Sequence, residues 1–404
     1  MIAVLVAVAA ALAASAAWVA VQIRRRNMHL WLPAFISGDW AGRRERRHGG
    51  DWQVVHVLFC VADHFEPGVA KPGIEVERRR VNQWIHEYPR LVAGFRDADG
   101  RPPRHTFFYP AEEYCAEHLD RLAELVSAGY GEVEVHLHHD GDTSEGLREK
   151  LLEFKDRLRR HGHLGAEGKT GEVRFAFVHG NWALDNSLPD GGWCGVNDEL
   201  RVLRRCGCYA DFTLPAAPSP AQTRRINSIY YATDDPTKPR SHDRGVEVRV
   251  GGAPTGDLMM IQGPLGLYWR GGGRGLLPRI ENGDLGGRMP VGPRRIAAWM
   301  RLRVCVAGRP DWVFVKLHTH GCNERNWSLL FGPPLRGLHE HLRRWFNDGV
   351  RCRLHYVTAR EMYNIVKAAE RGLAGDPGTY RDLEIGPPPL QLAAGLAIQE
   401  KALR

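Results

Sequence analysis

Two segments of this chain end in paired histidines, a residue type that binds metal ions and transfers protons. The segments read Glu-Val-Glu-Val-His-Leu-His-His-Asp at 132–140 and Asp-Trp-Val-Phe-Val-Lys-Leu-His-Thr-His at 311–320. Alternate side chains of an extended strand share a face, so His136 and His138 point one way, as do His318 and His320. Imidazoles gathered at strand ends suit a metal-centred hydrolytic site.

A third cluster of polar residues follows the apolar run 54–62, which reads Val-Val-His-Val-Leu-Phe-Cys-Val-Ala. Such a run is typical of a strand that is buried on both faces. It ends in Asp63-His64-Phe-Glu66, so carboxylates and an imidazole stand where this strand is predicted to emerge.

The elements that must position these residues alternate along the chain. Apolar spacing predicts helices over 73–97, 111–128, 147–158, 197–206, 294–303 and 335–348, and a capping box, Thr358-Ala-Arg-Glu361, opens another. Strands between them imply a mainly parallel sheet with helices outside it. About seven such units favour a barrel with its active face at the carboxyl ends of the strands. Residues 219–291, rich in Gly, Pro and Arg, predict an inserted region, and 369–404 form a C-terminal tail.

Composition narrows the class of protein. The chain has 404 residues, 43% hydrophobic and 25% charged, which is typical of a globular protein. Its net charge is +8, but the stretch 24–48 contains seven arginines against two carboxylates and supplies +5 of this charge. The remainder is nearly balanced, so we expect no nucleic-acid partner. The eight cysteines show no repeated spacing and are predicted to be free thiols.

The N-terminal segment predicts a membrane anchor. Residues 1–23 carry no charged side chain, and about 20 apolar residues are enough to cross a bilayer. Arginines 24–26 follow the segment and none precedes it, which places the rest of the chain in the cytoplasm by the positive-inside rule. We interpret 24–52 as a basic juxtamembrane linker, which either rests on anionic lipid or is simply solvated.

The order of these motifs resembles that of the NodB-homology polysaccharide deacetylases, a carbohydrate esterase family on an irregular (β/α)7-type barrel. The resemblance covers residues 53–368. In that family the first strand ends in two aspartates, a catalytic base followed by a metal ligand. The matching residues here are Asp63 and His64.

The later motifs of the family also have counterparts. The second motif, His-Ser/Thr-x-x-His, corresponds to 136–140, which implies His136 and Asp140 as metal ligands with His138 or His139 as alternatives. The family's third motif shapes the groove, its fourth is an Asp-containing strand end, and its fifth is a Leu-His strand end. Their counterparts in this chain imply residues that contact the substrate and a general acid. The implied substrate-binding residues are His179, Asn181, Trp182, Asp211 and His320, and the implied general acid is His318.

The resemblance implies a divalent metal ion, Zn²⁺ above all, and removal of acetyl groups from a polysaccharide or a lipid-linked glycan at the cell membrane. Two alternatives stay open. One is a non-catalytic, membrane-tethered glycan-binding protein on the same barrel. The other is a metal-dependent hydrolase that acts on a different amide or on a phosphoester.

Overall fold

The computed structural model describes residues 1–48, 54–269, 278–287, 289 and 291–391. The strands are β1 Val55–His64, β2 His105–Pro110, β3 Gly131–Leu137, β4 Phe175–His179, β5 Cys208–Asp211, β6 Ile229–Ala232, β7 Val246–Glu247, β8 Leu258–Ile261, β9 Gly266–Tyr268, β10 Arg279–Glu281, β11 Trp312–Thr319 and β12 Cys352–Tyr356. The helices are α1 Ile2–Arg25, α2 Leu32–Ser37, α3 Ala41–His48, α4 Ile74–Val92, α5 Ala116–Ser127, α6 Ser144–Arg160, α7 Glu199–Cys206, α8 Pro293–Leu302, α9 Trp327–Leu330, α10 Pro333–Phe346 and α11 Ala359–Glu370.

The predicted parallel sheet is confirmed. Strands β11, β1, β2, β3, β4, β5 and β8 lie side by side in this order and run parallel, and β12 pairs with the first half of β1. Strands β6 and β7 extend the sheet beyond β8 in antiparallel orientation, inside the region predicted as an insertion. The predicted barrel closure is not seen, because no strand pair within the described residues links β8 back to β11.

Both faces of the sheet are covered. In β1, Val57, Phe59 and Val61 pack into the core formed with α4, α5, α6, α7 and α10. The intervening Leu58, Cys60 and Ala62 belong to a second core, which contains Met362, Ile365 and Val366 of α11. This alternation follows from the twofold period of a strand. It means that consecutive residues of β1 reach opposite faces.

Buried ion pairs hold α11 on its face of the sheet. Arg360 donates to Glu132 of β3 at 2.8 Å, and Arg104 donates to Glu361 at 2.6 Å; all four side chains are at most 2% exposed. The predicted capping box is confirmed, since Thr358 and Glu361 bond each other's backbone N–H groups. The helix is therefore positioned by charge pairing as well as by apolar contact.

The N-terminal segment is attached to the domain. Helix α1 is exposed along its length and is long and apolar enough to span a membrane. The residues after it pack as a third core on the inserted region, with Trp31 and Trp40 fully or almost fully buried. Trp40 Nε1 donates to the Leu302 carbonyl at 2.9 Å, and Asn27 Nδ2 donates to the Pro218 carbonyl at 2.9 Å. The predicted linker is thus docked for most of its described length.

We predict that Arg360→Ala lowers the free energy of unfolding by about 3–5 kcal/mol, because it leaves the Glu132 carboxylate buried and unpaired. Arg159→Ala is the control, since Arg159 pairs with Asp156 on the exposed surface of α6, where ion pairs contribute about 0–1 kcal/mol. Urea unfolding of the detergent-solubilised protein measures both. Equal, small losses in the two variants would contradict the structural part given to Arg360.

Candidate metal centre

The three predicted clusters meet at the carboxyl ends of β1, β3 and β11. His64, His136 and His318 occupy the strand positions that face the α11 side of the sheet. The His64 ring centroid lies 5.0 Å from that of His136 and 6.2 Å from that of His318. His320, just beyond β11, brings its ring to 4.7 Å from His64. Parallel pairing therefore gathers four imidazoles that are far apart in the chain.

Glu66 stands among these imidazoles. Its Oε1 lies 3.0 Å from His136 Nε2 and 3.4 Å from His138 Nε2. Glu66 belongs to two groups of potential ligands, one with His64 and His320 and one with His136 and His138; within each group the ligand atoms lie within 4.8 Å of one another. One carboxylate thus joins two sets of imidazole donors.

Hydrogen bonds to neighbouring groups orient two of the rings. His136 Nδ1 lies 2.7 Å from the Val178 carbonyl and its Nε2 lies 3.0 Å from Glu66 Oε1, so contacts at both nitrogens fix this ring. His138 Nδ1 is held by Glu112 at 2.5 Å. Such bonds to the second nitrogen are how proteins orient metal-binding histidines. The ring nitrogens of His64 and His318 have no hydrogen-bond partner among the described residues and are available to a ligand.

The electrostatics favour a neutral His64 imidazole beside an ionised Glu66 carboxylate. Burial, followed by repulsion from His320 and His136, holds the pKa of His64 well below its ordinary value. Burial opposes ionisation of Glu66, but the hydrogen bond from His136 overcomes it and lowers the pKa of this carboxyl group. Neutral imidazole and carboxylate are the forms that bind metals, so the donor set fits Zn²⁺ or a similar divalent ion.

An open pocket of about 800 Å³ gives access to these residues, with His318 and His320 in its wall. Trp182 lines the pocket, and its ring centroid lies 6.0 Å from that of His64 and 5.9 Å from that of His320. The remaining wall is mixed. It has apolar residues such as Pro215 and Ala216, the neutral polar residues Asn282, Asn323, Asn326 and Ser328, and the ionisable residues Asp284 and Arg325. The pocket therefore offers an aromatic surface, neutral hydrogen-bonding groups and one acidic and one basic side chain beside the imidazoles.

Asp63, the predicted catalytic base, lies on the other face of β1. Its carboxylate is fully buried, 3.2 Å from His105 Nδ1, and its Oδ1 accepts the Gly321 N–H at 2.6 Å. The ring of Trp84 lies 4.9 Å from that of His105 and covers this face. Asp63 does not line the pocket. It fixes the backbone immediately after His320, which is a positioning role and not contact with a substrate.

Three other predicted site residues lie apart from the imidazole cluster. Asp140 is exposed, and its Oδ1 accepts the Trp193 N–H at 2.7 Å. Asn181 is also exposed. His179 is fully buried, with Nε2 3.4 Å from Glu199 Oε1. The structure thus brings together His64, His136, His138, His318, His320 and Trp182, but not Asp140, Asn181 or His179.

Asp211 and Lys316 form a buried support behind the cluster. Lys316 Nζ donates to the Phe212 and Leu214 carbonyls at 2.7 and 2.6 Å. Asp211 Oδ2 accepts from the Thr213 hydroxyl at 2.7 Å. These bonds tie the end of β5 to β11, so the described contacts of Asp211 are structural.

Sequence reasoning did not assign two carboxylates of the site. Glu66 was noted in the cluster after the first strand, but the family pattern gave it no role. Glu112 lies in a short helical turn after β2. No sequence pattern marks it as a site residue, because its contact with His138 depends on how β2 and β3 pair. Spacing after a strand could have identified Glu66; only tertiary structure identifies Glu112.

No protein-family model and no curated protein sequence matches the chain. The geometry of this centre, the pocket and the order of the sequence motifs are therefore the observations that bear on function.

We predict that Asp211→Asn removes a pH-dependent part of the stability. Burial raises the pKa of Asp211 to about 7, above the unfolded value of about 3.9. The protonated Asp211 carboxyl group therefore stabilises the folded state most at a pH below its pKa in the unfolded chain. As the pH rises from 5 to 7, the free energy of unfolding falls by about 2 kcal/mol. Urea unfolding at several pH values should show a flatter profile for Asp211→Asn. The exposed control Asp190→Asn should keep the wild-type profile, and parallel profiles for all three proteins would contradict the prediction.

Proposed function

We propose that this chain is a metal-dependent hydrolase that removes acetyl groups from a glycan at a membrane. The observation that carries the proposal is Glu66 shared between two imidazole groups, His64 with His320 and His136 with His138, beside an open polar pocket. The resemblance of the motif order to the NodB-homology deacetylases supports the choice of an acetylated glycan. Zn²⁺ is the proposed ion, because imidazole nitrogen and carboxylate oxygen are among its usual ligands.

The proposed ligands are His64, His320 and Glu66, whose ligand atoms lie within 4.8 Å of one another, and His136 holds the Glu66 carboxylate in place. A divalent ion bound there would polarise the acyl carbonyl and make hydroxide available at neutral pH. The chain contributes a carboxylate whose charge burial does not remove and a His64 imidazole whose pKa lies well below its ordinary value. These features reduce the reorganisation needed when the ion binds.

Proton transfer is assigned to His138 with Glu112. Burial disfavours the protonated form of His138, but the hydrogen bond to Glu112 outweighs burial and raises the pKa of the imidazole. His138 also remains partly exposed, with 29% of its side chain accessible. It can therefore take a proton from water and return it to the leaving group.

His318, the predicted general acid, receives a different proposed role. Burial, with Lys316 and His320 nearby, holds its pKa well below the ordinary value. A neutral imidazole is a poor general acid at pH 7 but a good hydrogen-bond donor. In the wall of the pocket, His318 is suited to stabilise negative charge on the acyl oxygen during attack.

The pocket wall supports a carbohydrate substrate. Neutral amides such as Asn282, Asn323 and Asn326 can both donate and accept hydrogen bonds, as sugar hydroxyl groups require. Trp182 offers an apolar ring face for packing against a sugar ring. These groups suit a polyhydroxylated ligand, and the side chains of Asp284 and Arg325 in the same wall can also bond its hydroxyl groups.

The location of the pocket supports a lipid-linked substrate. Pro218 is part of the pocket wall, and its carbonyl accepts the hydrogen bond from Asn27, two residues after α1. If α1 spans a bilayer, the pocket lies beside the point where the chain leaves it. A glycan precursor carried on a membrane lipid at the cytoplasmic face would reach His318 and His320 from that side.

A second function, phosphoester hydrolysis, is favoured by one observation. The two ligand groups that share Glu66 resemble the arrangement of a two-ion centre, in which one carboxylate bridges both ions. Such centres are frequent in phosphoesterases. Release of phosphate from lipid-linked sugar phosphates, without acetate release from acetylated sugars, would favour this function over deacetylation.

We predict that His64→Ala and His136→Ala lose bound zinc and reduce acetate release from acetylated glycans at least 100-fold. Glu112→Gln should keep its zinc but lose about 10- to 100-fold in rate, because it weakens proton transfer without removing a ligand. Zinc content by mass spectrometry and acetate release by a coupled assay measure these effects. His86→Ala, in the exposed face of α4, is the control.

Unchanged acetate release in His64→Ala and His136→Ala would reject the proposed centre. If the two variants lose zinc but the wild type releases no acetate from any of a broad panel of acetylated glycans, the metal site would stand and deacetylation would be rejected.

We predict that the part of the chain after α1 lies in the cytoplasm. A fluorescent protein fused after Arg404 should fluoresce in cells, and an alkaline phosphatase fused at the same place should be inactive, because arginines 24–26 retain their side of the membrane. An active phosphatase fusion would place the domain on the opposite side.

A further inference from the structure

A second group of potential metal ligands lies outside the pocket. His139, His179, Cys194 and Glu199 are all buried, and each offers one ligand atom within 4.8 Å of the other three. His139 follows β3, His179 ends β4, Cys194 lies in the irregular segment 180–198, and Glu199 begins α7. Four separate parts of the chain therefore converge on one point in the protein interior.

The spacing of these atoms resembles one face of a coordination tetrahedron. Glu199 Oε1 lies 3.3 Å from His139 Nε2 and 3.4 Å from His179 Nε2. Cys194 Sγ lies 3.4 Å from Glu199 Oε2. Adjacent ligand atoms around tetrahedral zinc, with bonds of about 2.0–2.3 Å, are roughly 3.3–3.8 Å apart. Small movements of the side chains would complete the arrangement.

Two ring nitrogens of the group, Nε2 of His179 and Nδ1 of His139, have no hydrogen-bond partner in the described structure, and the first of them faces the other ligands. His179 is fully buried, its Nδ1 lies 2.6 Å from the Gly180 carbonyl, and its Nε2 has no hydrogen-bond partner in the described structure. Nδ1 therefore carries the proton, and the Nε2 lone pair points into the cluster. A buried polar atom without a partner costs about 1–3 kcal/mol. A bound cation would remove this cost.

Outer contacts also fit a metal ligand set. His139 Nδ1 lies 3.2 Å from Asp142 Oδ2, without the geometry of a hydrogen bond, and its Nε2 lies 3.3 Å from Glu199 Oε1 inside the cluster. Glu199 Oε2 accepts the Asp185 N–H at 2.6 Å. Histidine backed by a carboxylate is a common arrangement around zinc.

We propose that His139, His179, Cys194 and Glu199 bind a structural Zn²⁺ ion. Four protein ligands in a buried position leave no open site for substrate, in contrast to the centre around Glu66. Binding replaces the thiol proton of Cys194, which passes to solvent, by a zinc–sulfur bond. The proposed ion is independent of the hydrolase function and would be present even if the pocket had another activity.

The ion would fix the segment that carries Trp182 into the pocket. Within 180–198 the backbone has positive φ at Asn181, Trp182, Asp185, Asn186 and Trp193. Non-glycine residues seldom adopt this conformation, so surrounding contacts must hold it in place. A metal bound to Cys194 at one end and to His139 and His179 on the sheet supplies such a contact.

Cobalt substitution tests the proposal because, among the candidate metal-binding groups of the described residues, this cluster alone contains a thiol. The metal-free full-length protein in detergent is reloaded with Co²⁺ and its absorption spectrum is recorded. We expect a near-ultraviolet thiolate-to-cobalt charge-transfer band that Cys194→Ser abolishes together with one equivalent of metal. Cys352→Ser is the control and should keep the band, as should His64→Ala, which loses metal only from the centre around Glu66.

X-ray absorption at the zinc edge gives a test that needs no variant. The wild-type protein should contain a sulfur scatterer at about 2.3 Å from zinc. A protein with zinc but only nitrogen and oxygen scatterers, and with no charge-transfer band after cobalt loading, would overturn this site and leave the proposed hydrolase centre intact. Absence of all bound metal would reject both.

Discussion

The parallel pairing of β1 with its neighbours is the constraint on which the site depends. The register sets Ala62 beside His318 and Asp63 beside Thr319, so the ends of β1 and β11 coincide. Strand β2 places β3 two positions away, which brings His136 to the same edge. A shift of one residue in this register would turn the imidazoles toward the opposite face. The buried cores on both sides of β1 prevent such a shift.

The twofold period of the strand also separates two kinds of residue. His64 joins the imidazole cluster, of which His318 and His320 line the pocket, whereas Asp63 points to the opposite face, beneath Trp84, and accepts the Gly321 N–H. The same separation applies to β11, where Lys316 and His318 face one way and Val315 and Leu317 the other. Ionisable groups of the proposed catalytic machinery therefore lie on one face, and the other face positions the backbone that follows the strands.

Much of the fold follows from patterns within the sequence. A continuous apolar run identifies β1, alternating apolar residues identify β3 and β11, and helical spacing identifies α4 to α7, so local sequence determines these elements. Barrel closure is not seen among the described strands, and strand count alone does not determine whether β8 and β11 pair. The docking of Trp31 and Trp40 on the inserted region also needed tertiary structure, since a basic stretch after an apolar helix has the composition of a solvated linker.

Part of the site can likewise be predicted from local sequence patterns. Histidines at strand ends carry a strong local signal, and four of them meet. The contribution of Glu66, the position of Asp63 and the convergence of His139, His179, Cys194 and Glu199 depend on residues far apart in sequence, whose distances are set by packing. A family pattern assigns roles by the order of motifs along the chain. Which residues a side chain contacts, however, depends on the face of the strand on which it lies.

The central claim is that the imidazoles around Glu66 bind a divalent metal ion. Anomalous X-ray diffraction at the zinc edge, from crystals of the purified protein, tests it most directly. The account predicts an anomalous peak about 2 Å from Glu66 Oε1 and from imidazole nitrogens of the cluster. Crystals grown with zinc present that show no peak beside Glu66 would contradict it.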